Sequence, residues 1–164
     1  MPNLTVWRYP TPLGVDAGEL HLKRLEEQGA IRVHDAVALI WMPDAEQPTV
    51  RHLRHRTAAA AGRGTFWGTL AGMLVLTPAA GAAVGATAGA VAERLREGGV
   101  DDDTIARLRE TLEPGTSALF LVTSDARPEI VGPALAADEG TLVHAEMDDE
   151  TEAALRRLLG DATP

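Results

Sequence analysis

The sequence predicts an α+β fold: a mixed or antiparallel sheet with helices on one face, interrupted by an inserted helical hairpin over residues 62–97. Three observations predict it. Short apolar runs bounded by Pro, Gly and acidic residues alternate with segments whose apolar positions recur at helical spacing. Residues 65–92 carry no charge, and glycine recurs every four positions on both sides of Pro78. At 164 residues the chain fits one domain, 1–164, that carries the hairpin as an insertion.

Leu4 and Val6 alternate with Thr5 and Trp7 before Pro10 and Pro12, which predicts a short strand over 3–9. Residues 16–29 place Leu20, Leu22 and Leu25 among Glu19, Lys23, Arg24, Glu26 and Glu27, an amphipathic helix ended by Gly29. The apolar run 36–42 reads as a buried strand, the polar stretch 43–48 as a turn, and 49–56 as its hairpin partner with a basic outer face. Asp101, Asp102 and Asp103 open a helix to Glu113, where carboxylates favour the positive end of the helix dipole. A buried strand over 117–123, a short helix over 128–137, a strand over 141–147 and an amphipathic helix over 149–159 complete the pattern. Without the insertion, the first six elements match the split βαβ, ferredoxin-like order, extended by a helix, a strand and a helix.

The hairpin carries the strongest inference. Gly64, Gly68 and Gly72 form one series, and Gly81, Gly85 and Gly89 a second. Residues four apart share a helix face, so each series makes a flat groove that admits another helix closely. Pro78 between them disfavours one continuous helix and predicts two antiparallel arms. Met73, Leu74, Val75, Leu76 and Pro78 form an apolar tip. A spanning helix needs about 20 apolar residues, and each arm supplies only about 14, roughly 20 Å of helix.

Three stretches together resemble a known family: Gly81-Ala82-Ala83-Val84-Gly85-Ala86-Thr87-Ala88-Gly89, then Gly99-Val100-Asp101-Asp102, then Glu113-Pro114-Gly115-Thr116-Ser117-Ala118-Leu119-Phe120. This combination is similar to the bacterial domain of unknown function 1269 family, whose members are usually labelled predicted membrane proteins. His34-Asp35-Ala36-Val37 resembles that family's strand before the hairpin. The resemblance implies a bacterial protein and carries over no catalytic residue or cofactor. The chain departs from the family pattern in its basic 52–56 stretch and in the Ala58-Ala59-Ala60-Ala61 lead-in.

Composition narrows the function classes. The net charge of −9 argues against a nucleic-acid partner. The absence of Cys excludes thiol catalysis, disulfides and thiolate metal sites. Residues 1–8 show no charged region followed by an apolar stretch, so no secretory signal is expected and the location expected is cytoplasmic. His52 and His55 fall on opposite faces of a strand, and His21, His34 and His144 are scattered, so no metal is assigned. Gly62-Arg63-Gly64-Thr65 lacks the Gly-Lys-Ser/Thr ending of a nucleotide loop. Ser117 and Ser124 lack nucleophile-elbow glycines and a His-Asp pair. No catalytic or cofactor-binding residue is assigned. Arg51, Arg54, Arg56 and Arg63 are candidate contacts with an anionic surface, or members of a salt-bridged one.

The expectation is therefore a non-enzymatic, self-assembling structural protein whose glycine-zipper hairpins join copies of the chain into a homo-oligomer. One alternative is a membrane-associated protein whose hairpin enters lipid at the inner face of the cell membrane. A further alternative is a small-molecule sensor built on the sheet, its ligand unspecified.

Overall fold

The computed structural model describes residues 3–53 and 102–146. The hairpin expected over 62–97 and the helix expected over 149–159 lie outside the described residues.

Strand β1, Asn3–Tyr9, buries Leu4 and Val6 on one side and Thr5, Trp7 and Tyr9 on the other. Helix α1, Gly14–Glu27, follows and buries Val15, Gly18, Leu22 and Leu25. Gly29, at φ +63, closes it. Gly29 N–H donates to Glu26 O at 2.9 Å and Ala30 N–H to Leu25 O at 2.8 Å, the two bonds of a Schellman cap, and Ala30 and Leu25 share one core.

Strand β2, Arg32–Ile40, and strand β3, Thr49–His52, form a hairpin. After the segment 54–101 come helix α2, Asp102–Thr111, strand β4, Ser117–Ser124, and helix α3, Pro128–Ala136. A 3-10 turn, Ala137–Glu139, leads to strand β5, Thr141–Glu146.

The five strands make one sheet in the order β3-β2-β4-β1-β5, and every neighbouring pair is antiparallel. The reason lies in the connections. Helix α1 joins β1 to β2, which run the same way with β4 between them, and α3 joins β4 to β5 with β1 between them. Each same-direction pair is thus separated by a strand running the other way.

Both faces of this sheet are apolar. On one, Trp7, Tyr9, Ala36, Ala38, Leu119 and Leu121 meet Val15, Leu22 and Leu25 of α1 and Val131 and Leu135 of α3. On the other, Leu4, Val6, Val37, Leu39, Ala118 and Phe120 meet Leu108 of α2 and Leu112 just beyond its end. The expectation of helices on a single face is corrected here. The central strands are apolar at successive positions, so each must be covered on both sides, and α2 lies opposite α1 and α3.

Candidate functional site

The segment 54–101 leaves the body at the end of an edge strand. The ladder between β2 and β3 pairs Ile40 with Thr49, Leu39 with Val50, Ala38 with Arg51 and Val37 with His52, and Leu53 N–H then donates to Ala36 O at 3.0 Å. Opposite Ala38, Arg51 takes the face covered by α1. Its Nη2 donates to Asp16 Oδ1 at 2.5 Å and to Glu19 Oε2 at 3.0 Å. Asp16 and Glu19 are three apart on α1, the spacing that puts both carboxylates on one side of a helix. The Arg51 Nε is buried and has no hydrogen-bond partner among the described residues.

Of the four arginines expected to contact an anionic surface, Arg51 is therefore engaged by α1, and Arg54, Arg56 and Arg63 lie outside the described residues. Outside them too lie the zipper positions Gly64, Gly68, Gly72, Gly81, Gly85 and Gly89, and the tip residues Met73, Leu74, Val75, Leu76 and Pro78.

The histidines singled out by the sequence go to separate places. His21 Nε2 lies 3.1 Å from Asp138 Oδ2, and His34 Nε2 lies 2.8 Å from Ser124 Oγ. The Ser124 hydroxyl also donates to Asp125 Oδ2 at 3.2 Å, and Arg32 Nε is 3.6 Å from the same carboxylate oxygen. This exposed chain runs His-Ser-Asp, with the carboxylate on the serine, so it lacks the order in which a carboxylate orients a histidine base. His52 is exposed on β3. Among the described residues, no group of three His, Asp or Glu could hold a metal ion, and no helix is long and apolar enough to cross a membrane.

Three contacts were not readable from sequence patterns. Ser117, buried at the start of β4, accepts from Val15 N–H at 3.1 Å and donates to Thr11 O at 2.7 Å. It serves as the N-terminal cap of α1, whose own N-cap residue, Leu13, makes no side-chain cap bond. Arg8 on β1 donates from Nε to Thr111 O at 2.9 Å, capping the end of α2. Tyr9, fully buried, donates from Oη to Leu135 O at 3.1 Å, and burial first, then the Asp138 carboxylate, pushes its phenol far above the usual range. Hydrophobic periodicity marks these positions as core or surface and says nothing of partners 100 residues away.

The described residues thus form an α+β body with a core on each face of the sheet, and its strand β3, bonded to α1 through Arg51, precedes the segment that holds the uncharged, glycine-patterned residues 65–92. Residues 61–160 match the family described as protein of unknown function (DUF1269), and the chain belongs to that family. The matched stretch begins at 61, so it covers both glycine series, α2, β4, α3 and β5 and leaves out the 34–37 strand. No curated protein and no solved structure matches the chain.

Proposed function

We propose that the protein is a non-enzymatic structural protein that assembles with copies of itself through the glycine-patterned hairpin of residues 62–97. The α+β body then forms the outer part of each subunit. The pattern and place of the segment carry this reading: the uncharged residues 65–92, with their two glycine series, fall in the chain between β3 and α2. Six interior glycines cost on the order of 1 kcal/mol each relative to alanine in a helix, and close helix packing is the usual return for that cost.

We read the body itself as ferredoxin-like, built not from the first six elements, as the sequence order suggests, but from β1, α1, β2, β4, α3 and β5. Setting aside edge strand β3 leaves the order β5-β1-β4-β2 with two crossing helices on one face, the arrangement of a split βαβ pair. On this reading β3, the segment 54–101 and α2 together form an insertion between β2 and β4, in place of a short turn.

A second reading has the Met73-Leu74-Val75-Leu76 tip entering one leaflet at the inner face of the cell membrane, with Arg63, Arg94 and Arg96 at the polar base. Light scattering coupled to size exclusion separates the readings. Full-length protein forming a defined multimer in detergent-free buffer, and dissociating on Gly85→Leu, supports assembly. Protein recoverable only in detergent makes lipid the hairpin's partner, and a detergent-free monomer overturns both.

A further inference from the structure

Arg51 stands where the body and the inserted segment meet. Strand β3 is an edge strand held to β2 by four ladder pairs, and it leads directly into residue 54. Edge strands open locally at lower cost than central ones, because one side of their ladder has no partner. The side-chain tie across this seam is the Arg51 Nη2 group, shared between Asp16 and Glu19 on α1. Its partners lie on a helix that buries Val15, Leu22 and Leu25, so the guanidinium is anchored to an element packed on the core.

We propose that this contact is a salt-sensitive clamp: Arg51 is a positioning residue that holds β3 against α1 and so sets how readily subunits assemble. The coupling to assembly rests on the reading given above, whereas the clamp itself rests on the geometry of Arg51, Asp16 and Glu19. The three side chains are each between 42% and 48% exposed, so mobile ions reach them and weaken the tie as ionic strength rises. An exposed network of this kind shifts a local opening equilibrium by up to about fivefold.

The test uses the full-length chain and its Asp16→Asn/Glu19→Gln variant, with Asp44→Asn/Glu46→Gln as a control that makes the same charge change in the β2–β3 turn. Two quantities are read: the rate of tryptic cleavage at the Arg51–His52 bond inside β3, which tracks opening of the strand when reclosing is fast, and the dilution at which the multimer dissociates. The clamp predicts cleavage about fivefold faster in Asp16→Asn/Glu19→Gln at 50 mM salt, with wild type approaching it at 500 mM and the control matching wild type. The dissociation constant of the multimer rises by a similar factor in the same variant. Equal cleavage in variant and wild type overturns the clamp, and faster cleavage with unchanged dissociation overturns its coupling to assembly. A wild type that is monomeric at every concentration overturns the assembly reading and the coupling together, whereas a multimeric wild type indistinguishable from the variant overturns the present proposal alone.

Discussion

The Tyr9 hydroxyl donates a hydrogen bond to the Leu135 carbonyl at 3.1 Å, joining the end of the first strand to the helix before the last one. The phenol reaches that carbonyl because two glycines make room. A Cβ on Gly18 of α1 would lie 2.3 Å from Tyr9 Oη, and one on Gly140 would lie 2.1 Å from Leu135 O. One side chain therefore sets the approach of α1, α3 and β5.

Tyr9 is the chain's only tyrosine, so phenolate absorbance reports it alone. Burial and the Asp138 carboxylate raise its folded-state pKa above the unfolded value, near 10. The folded state then holds the proton more tightly than the unfolded chain. Stability is unaffected below about pH 10 and falls above it by about 1.4 kcal/mol per pH unit. Phenolate absorbance should appear together with loss of helical circular dichroism, and Tyr9→Phe should remove this dependence. Ionisation completed in a still-folded protein near pH 10 would contradict the buried phenol.

Gly18→Ala should destabilise the protein by about 1–3 kcal/mol through overpacking against the ring. Part of that clash is with the hydroxyl, so the same change in a Tyr9→Phe background should cost less. Urea denaturation of the four proteins in this cycle measures the coupling, and strictly additive effects would mean that ring and glycine do not touch.

Ser117→Ala should cost about 1–3 kcal/mol, more than an ordinary serine, because it strands Val15 N–H in a buried site, while Thr11 O keeps its bond from Gly14 N–H. The loss should show as a lower urea midpoint and as faster amide exchange in the first turn of α1. A change below about 0.5 kcal/mol, the level of a surface substitution, would show that the cap is dispensable.

The strands and helices of the body were legible in the sequence because their signals are local. Pro10 and Pro12 end β1, Gly29 ends α1, and the apolar run through Phe120 marks β4. Their arrangement was less so. Leu108 and Leu112 announce an apolar stripe on α2 but not the face of the sheet it covers, since the apolar runs of β2 and β4 offer both. For Arg51 the sequence left two choices, an anionic surface or a salt bridge. Only the register of β3, with Arg51 opposite Ala38, brings it to Asp16 and Glu19 some 32 to 35 positions earlier. His34, read as an isolated histidine, meets Ser124 where β2 bulges between Val33 and Asp35, an irregularity without a composition signal.

The turn into β5 supplies the last prediction. Asp138 and Glu139 stand in succession at φ 57 and φ 64, a region that costs non-glycine residues about 1–2 kcal/mol each. The two do not gain equally from relief. Asp138 is paired with His21, so replacing it sacrifices that contact, and aspartate tolerates the left-handed region better than glutamate. Glu139 is exposed. Glycine at 139 relieves the strain, offset in part by the added freedom of the unfolded chain. Glu139→Gly should therefore stabilise the protein by about 0.5–1 kcal/mol, raising the thermal midpoint by roughly 2 °C, whereas Asp138→Gly should leave it unchanged or lower it. A midpoint that falls for Glu139→Gly would mean that the glutamate side chain contributes more to the turn than its backbone conformation costs.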